Sequence, residues 1–203
     1  MFGVPGENFL ALLDGLYEHR NAIKVVTTRQ EGGASNMADA YGKLTGKVGV
    51  CAVTRGPGAT NASIGVHTAF QDSTPMLLLI GQVARDQVDR EAFQEIDYRR
   101  MFGEMAKWVA QIDDANRIPE YISHAFHVAQ SGRPGPVVLA LPEDMLRDVV
   151  EIADAPRAKI VQASPSAIAM DELRDRLGKA ERPLLLLGGP TWTAAAVADI
   201  TRF

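Results

Sequence analysis

Glu31 is the carboxylate of this chain whose surroundings most suggest chemistry. It lies in the segment RQEGGA at residues 29–34, after a short β-branched run at 23–28 and before small residues with helical spacing at 34–47. The first pattern predicts a buried strand and the second a helix. Glu31 is therefore expected where the carboxyl end of a strand meets the amino end of a helix, the edge at which open α/β sheets bind ligands. The alternative is a carboxylate that only stabilises the first helical turn through the helix dipole.

A Gly-Pro-Gly turn at residues 56–58 provides a second motif. It follows the apolar run 48–54 and precedes a helix of small residues at 62–70, and a third apolar run, 76–82, ends at Gln82. Short strands that alternate with helices predict right-handed crossovers and a mostly parallel sheet. Because the carboxyl ends of parallel strands share one edge, the glycine turn, Gln82 and the carboxylate are expected to converge there.

The same alternation continues along the chain and predicts an α/β fold, a mostly parallel sheet with helices on both faces, over residues 1–145. Strands are expected near 23–28, 48–54, 76–82, 107–112 and 137–141, with Phe2-Gly3-Val4 as the tail of a truncated first strand. Helices are expected at about 7–20, 34–47, 62–70 and 115–131. The second of these helices is expected to pack through an apolar face made of Ala34, Met37, Ala38, Tyr41 and Leu44.

The last quarter of the chain has a different organisation. Residues 146–166 lack a sustained core pattern and contain two prolines, so they are interpreted as a linker. The pattern restarts with a helix at 167–180, a strand at 183–187 and a final helix. One strand with flanking helices cannot bury both of its faces, so residues 167–203 are expected to be the incomplete beginning of a second α/β domain.

Composition excludes several classes of function. The net charge is −4 without a cluster of Lys and Arg, which argues against a nucleic-acid partner. The single cysteine, Cys51, lies in a predicted strand and cannot form a disulfide within the chain, which suits a cytoplasmic location. The amino terminus has no signal-peptide pattern, and the apolar runs are too short to span a bilayer, so no membrane association is expected.

Two other kinds of site receive little support. Residues 56–61 nearly match a dinucleotide-binding fingerprint, but Asn61 replaces the third glycine and no acidic residue ends the next strand, which disfavours a nucleotide-binding oxidoreductase. His124 and His127 lie three positions apart on a predicted helix, but no carboxylate or thiol pattern joins them. No metal site is therefore predicted within these residues.

Taken together, these motifs resemble the pyrimidine-binding domain of thiamine diphosphate enzymes of the acetolactate synthase and pyruvate oxidase type. The matching segments occur in order at residues 2–6, 29–34, 38–42, 45–47, 56–61, 81–83, 92–95, 107–108 and 132–137. Each segment alone is a weak signal, but their ordered occurrence across nearly all of residues 2–145 is specific. Residues 167–203 resemble the start of the central domain of that family more loosely.

The resemblance implies roles for individual residues. Glu31 would hydrogen-bond N1′ of the cofactor's aminopyrimidine and favour its imino tautomer, which removes the proton from the thiazolium C2, so that the cofactor carries the chemistry and the protein sets its tautomer. The pyrimidine pocket would be formed by Pro5, Gly6, Thr54, Gly56, Pro57, Gly58 and Asn61. The substrate channel, for a small 2-keto acid, would include Gln82, Phe93, Gln94 and Lys107.

The chain departs from that family at Glu7-Asn8. Acetolactate synthases usually have glycine and alanine there, whereas keto-acid decarboxylases often carry an acidic residue at the position of Glu7. Glu7 is thus either a substrate-pocket residue or a favourable first-turn helix residue. Decarboxylase, carboligase and oxidase activities all stay open.

The family's diphosphate and Mg²⁺ site belongs to a separate domain with a Gly-Asp-Gly motif, and no Gly-Asp-Gly occurs in this chain. The resemblance therefore implies that these residues alone are inactive and that the complete enzyme is a homodimer or homotetramer. The alternative is a stand-alone pyrimidine-binding subunit, or a non-catalytic interaction module, that needs a partner chain for the diphosphate.

Overall fold

The computed structural model describes residues 1–161, 163–189 and 192–203. Its strands are β1 (Phe2–Gly3), β2 (Val26–Thr27), β3 (Gly49–Val53), β4 (Met76–Gln82), β5 (Trp108–Gln111) and β6 (Pro136–Pro142). Its α-helices are α1 (Leu10–Glu18), α2 (Glu31–Thr45), α3 (Pro57–Gln71), α4 (Tyr98–Phe102), α5 (Ile118–Gln130), α6 (Ala167–Lys179) and α7 (Ala194–Arg202). Short 3-10 turns occur at Glu7–Phe9, Arg85–Gln87, Ala115–Arg117 and Met145–Arg147.

The six strands form one parallel sheet in the order β2-β1-β3-β4-β6-β5. Strands β4 and β6 are buried along their whole length, which explains their uninterrupted apolar sequences. Side chains of β4 alternate between two cores: Leu78 packs with α2, α3 and α4 on one face, and Leu77 packs with α5 on the other. The predicted α/β fold, with a parallel sheet and helices on both faces, is confirmed.

Helix α2 buries only part of the apolar face that its sequence predicted, namely Ala34 and Ala38. Leu44 is 87% exposed, and Met37 and Tyr41 are also exposed, whereas the smallest residues of the helix face α3. The reason is the close approach of the two helices: a Cβ added to Gly65 of α3 would lie 2.4 Å from Ser35 Oγ of α2. Only glycine, alanine and serine fit between backbones at that separation, so the larger side chains remain outside.

The strand predicted at 183–187 is not formed. Residues 183–189 have no regular structure, and Leu184 and Leu186 are more than nine-tenths exposed. A strand requires a neighbour that accepts and donates backbone hydrogen bonds, and none lies beside this segment in the part of the chain that the structure describes. The helices predicted on either side of it are present as α6 and α7.

The segment after β6 is largely irregular and partly follows helix α5. Ser123 Oγ donates a hydrogen bond to the carbonyl of Pro156 at 3.1 Å, and His127 Nδ1 lies 3.3 Å from the carbonyl oxygen of Lys159. Among the described helices, none has the length and hydropathy needed to cross a membrane.

Candidate functional site at the carboxyl edge of the sheet

Glu31 is the first residue of α2, directly after the short loop that follows β2. Helix α2 begins three residues earlier than predicted because Gln30, in extended conformation, caps it: the side-chain oxygen of Gln30 accepts a hydrogen bond from the backbone N–H of Gly33 at 2.8 Å. This places Glu31 at the predicted junction between a strand's carboxyl end and a helix's amino end.

The carboxylate of Glu31 is held from one side. Asn61 Nδ2 on α3 donates a hydrogen bond to Glu31 Oε2 at 3.0 Å, and a Cβ built on Gly58 would lie 3.6 Å from Glu31 Oε1. Among the described residues, no donor reaches Oε1 within hydrogen-bond distance. One carboxylate oxygen is thus fixed by an amide while the other is available to accept a proton or a hydrogen bond from a ligand.

The turn between β3 and α3 is the second wall of the site. Gly56 has φ 49° and ψ −106°, a conformation that requires glycine, and a Cβ there would lie 2.7 Å from the carbonyl oxygen of Gln94. The backbone N–H of Gly56 donates to the hydroxyl of buried Tyr98 at 2.9 Å. Burial raises the pKa of Tyr98 to about 12, so the phenol stays neutral and anchors the turn from behind.

The segment before α1 packs directly on this turn. A Cβ on Gly6, next to Pro5, would lie 2.9 Å from the Cβ of Thr54, and Thr54 Oγ1 donates to Asn8 Oδ1 at 3.1 Å. Asn8 is 2% exposed and its Nδ2 has no hydrogen-bond partner among the described residues. The predicted pocket residues at 5–6, 54, 56–58 and 61 therefore come together with Glu31, and Asn8 joins them although sequence reasoning had not placed it in the pocket.

Arg55 is a buried cation at the same edge that sequence reasoning missed. Its side chain is 9% exposed; Nε donates to the carbonyl of Phe93 at 3.0 Å, and Nη2 donates to Glu7 Oε1 at 2.7 Å. Nη1 lies 3.7 Å from Glu143 Oε2, too far for a hydrogen bond. No local spacing links positions 7, 55 and 143, so no sequence pattern could have revealed this cluster.

The predicted substrate-channel residues take different places. Gln82 is 4% exposed and both of its amide atoms bind backbone, since Nε2 donates to the carbonyl of Ile96 at 3.0 Å and Oε1 accepts from the N–H of Val83 at 2.9 Å. Gln82 therefore ties β4 to the loop that carries Phe93 and Gln94, and it also lines an open cavity of about 600 Å³. Phe93 is exposed beside the Arg55 guanidinium. Gln94 lines an open cavity of about 510 Å³ with residues 56–57, 60–61 and 95–96.

Lys107, also predicted in the substrate channel, does not lie with the other predicted site residues in this chain. It directly precedes β5, at the amino edge of the parallel sheet, and its backbone N–H donates to the carbonyl of Pro136. Its Nζ donates to the carbonyls of Val128 and Ser131 at the carboxyl end of α5, where a cation is favourable. Burial lowers the pKa of Lys107, and its role is to cap that helix.

No group of three or more His, Cys, Asp and Glu side chains in the described residues is arranged to hold a metal ion. The two histidines of α5 have other neighbours: His124 packs edge-on against the ring of Trp108, and His127 Nε2 lies 3.3 Å from Ser131 Oγ.

Comparison with known proteins agrees with this geometry. Residues 1–101 match the family described as "Thiamine pyrophosphate enzyme, N-terminal TPP binding domain". The chain is 38% identical over 209 residues to a "Probable acetolactate synthase large subunit" of Methanococcus aeolicus. This alignment covers 100% of this chain and 35% of that protein. It is 36% identical over 210 residues to an "Acetolactate synthase" of Arthrospira platensis, covering 98% of this chain and 36% of that protein.

A third relative gives the same picture: the "Acetolactate synthase large subunit" of Lactococcus lactis subsp. lactis is 38% identical over 194 residues, covering 93% of this chain and 33% of that protein. The chain therefore spans about a third of the length of the curated relatives it matches. With Glu31, Asn61 and the glycine turn gathered at one edge of a parallel sheet, the chain belongs to the thiamine pyrophosphate enzymes and carries their N-terminal TPP-binding domain.

Proposed function

We propose that this chain is the N-terminal part of an acetolactate synthase-like enzyme, a transferase or lyase that cleaves or ligates small 2-keto acids with thiamine diphosphate. The observation that carries the proposal is the Glu31 carboxylate, which Asn61 holds through one oxygen beside the Gly56–Gly58 turn while the other oxygen is left available. The chain matches about a third of the length of relatives that are described as acetolactate synthases, and this match supports the same reaction class.

The residues present fit the pyrimidine half of the cofactor. Glu31 Oε1 is an acceptor with no donor among the described residues, and the buried Asn8 Nδ2, which lacks a partner among them, is a further polar atom at the same edge. When bound, thiamine diphosphate supplies a carbon acid whose deprotonation the protein must assist. Glu31 Oε1 would hold the proton shared with the pyrimidine nitrogen, and Asn61 would keep the carboxylate from rotating away.

The remaining parts of the enzyme are assigned by the same proposal. Residues 1–145 form the pyrimidine-binding domain, 146–166 a linker and 167–203 the start of the central domain. Mg²⁺ and the diphosphate would be held by residues outside this chain, in a cytoplasmic homodimer or homotetramer. The lack of a Gly-Asp-Gly motif and the single buried cysteine support these assignments.

The test uses both the isolated chain and the complete protein that contains it. We expect the 203 residues alone to bind thiamine diphosphate weakly in calorimetry, without dependence on Mg²⁺, and to consume no pyruvate. The complete protein should consume a small 2-keto acid only when the cofactor and Mg²⁺ are added. Tight, Mg²⁺-dependent binding by the isolated chain would contradict the division of the cofactor site. A complete protein that consumes no 2-keto acid and leaves the C2 proton of thiamine diphosphate unexchanged would contradict the function itself.

A further inference from the structure

Arg55 has hydrogen-bonding capacity that the protein does not use. A guanidinium carries five N–H bonds. In the described part of the chain only two of these reach acceptors, one from Nε to the carbonyl of Phe93 and one from Nη2 to Glu7. Nη1 is fully shielded and has no hydrogen-bond partner, although the side chain is more than nine-tenths buried. A buried cation with three unused donors is an unusual arrangement, because such groups are normally satisfied.

The two carboxylates around Arg55 are held differently from the cation. The guanidinium is fixed in the scaffold, between the end of β3 and the carbonyl of Phe93. Glu7, by contrast, is 74% exposed and contacts Arg55 through one oxygen only. Glu143 is partly buried and lies beyond hydrogen-bond distance. Glu7 can therefore be hydrated when it leaves Arg55, whereas the buried Arg55 cannot follow it and needs another anion in the place of Glu7.

Arg55 also lies beside the proposed cofactor pocket. It is the residue before Gly56, whose turn faces Glu31 and Asn61. Its guanidinium carbon is 5.7 Å from the centre of the exposed Phe93 ring. The buried cation thus borders the proposed cofactor pocket without touching Glu31.

We propose that Arg55 binds the carboxylate of the 2-keto acid, and that Glu7 takes the place of that carboxylate when no substrate is present. This inference rests on the proposed function. Arg55, Glu7 and Glu143 form a cluster with one positive and two negative formal charges. Its net charge is negative, so an additional anion would be repelled. If the substrate displaces Glu7, the charge of the cluster is unchanged. The incoming carboxylate can bridge Nη1 and Nη2 in the two-point geometry that guanidinium groups favour, and Nη1 gains the partner it lacks.

The competing interpretation is that Arg55 is only a structural tie between β3 and the loop at Phe93. That role does not require a ligand charge, and it does not involve Glu7. The two interpretations therefore differ in how the affinity for an anion compares with the affinity for its neutral ester.

The experiment measures ligand binding to the complete protein with thiamine diphosphate and Mg²⁺. The probes are oxamate, a 2-keto acid mimic whose amide carbonyl resists addition, and ethyl oxamate, its neutral ester, titrated by ligand-observed NMR. Arg55→Met should raise the dissociation constant of oxamate about ten- to a hundredfold, the range for a lost charged hydrogen bond, and that of ethyl oxamate less than about threefold. Arg55→Lys keeps the charge without the planar fork and should give an intermediate value.

Glu7→Gln provides the second test, on an exposed residue. Removal of the competing carboxylate should lower the dissociation constant of oxamate about two- to fivefold and leave ethyl oxamate unchanged. Arg85→Met is the matched control, since Arg85 also pairs with two carboxylates, Asp144 at 2.7 Å and Asp148 at 2.9 Å. Arg85→Met should leave the dissociation constants of both oxamate and ethyl oxamate unchanged.

Equal shifts for oxamate and ethyl oxamate in Arg55→Met, or weaker oxamate binding in Glu7→Gln, would overturn the inference. If Arg55→Met does not fold, the Glu7→Gln result decides alone. Exchange of the C2 proton of thiamine diphosphate in the unsubstituted protein distinguishes failure of the Arg55 inference from failure of the proposed function. If exchange is normal but Arg55→Met shifts the dissociation constants of both ligands equally, only the role of Arg55 is overturned. If exchange is absent, the proposed function is overturned as well.

Discussion

Glu31→Gln is the substitution that tests the candidate site most directly. Glutamine has nearly the same shape, and its amide oxygen can accept the hydrogen bond that Asn61 Nδ2 now donates to Glu31 Oε2 at 3.0 Å. The amide nitrogen then occupies the position of Oε1, where the carboxylate offers a free acceptor. The variant therefore keeps the geometry and loses the ability to take up a proton at that atom.

The expected loss is large in rate and small in stability. General acid–base assistance contributes about 10²–10⁴-fold, so the barrier to C2 proton exchange should rise by about 3–5 kcal/mol. Glu31 also stabilises the first turn of α2 as an acidic residue at a helix amino terminus, a contribution of about 0.3–1 kcal/mol. Its loss should lower the melting temperature by less than about 4 °C.

The assay is exchange of the thiamine diphosphate C2 proton for deuterium in the complete protein, read by NMR after acid quench. Glu120→Gln is the control, because Glu120 is likewise acidic in the first turn of its helix but lies on α5, away from the glycine turn. It should lose similar stability and keep normal exchange. Unchanged exchange in Glu31→Gln would remove Glu31 from the mechanism and leave it the helix-stabilising role alone.

Three further outcomes follow from packing and burial. Gly49→Ala should lower the free energy of unfolding by about 2–3 kcal/mol in urea titrations, because its Cβ would overlap the carbonyl of Ala38; Gly15→Ala, with open space around it, should be neutral or stabilising by about 0.5–1 kcal/mol. Cys51 is buried and burial raises its pKa to about 12, so a thiol reagent at pH 8 should label it only after unfolding, and labelling of the native chain would contradict the buried placement. Lys107→Met should cost about 0.5–2 kcal/mol of stability through the lost helix cap and leave C2 exchange unchanged; slowed exchange would restore Lys107 to the site.

The fold was accessible from sequence because its signals are local. The apolar runs that became β3, β4 and β6 are buried almost throughout, and segments with helical spacing precede β4 and β6 directly. The same kind of local pattern gave a wrong prediction at Leu44, whose helical spacing indicates a buried apolar face. Helix α2 instead buries its small residues, since Gly65 of α3 lets the two helices approach closely at Ser35. The pattern at 183–187 likewise lacks the neighbouring strand that it would need.

The candidate site likewise contains residues that local sequence patterns predict and residues that they do not. Glu31 and the glycine turn were found because each directly follows a strand of a parallel sheet, and that topology fixes their common edge. Lys107 lies apart from them because it stands at the start of a strand and not at the end, a position that the resemblance to the family did not reveal. Arg55 was missed because its partners are distant in sequence. Glu7 lies 48 positions before it, and Glu143 directly follows β6.

The close contact between α2 and α3 has a consequence for engineering this domain. Glu31 is on one helix and Asn61 on the other, so the spacing of the helices sets the distance between the carboxylate and its amide partner. A larger side chain at Gly65, which is one turn from Asn61 and opposite Ser35, would push the helices apart. A single added methyl group in this helix contact would therefore change the distance between Glu31 and Asn61 although it lies away from both side chains.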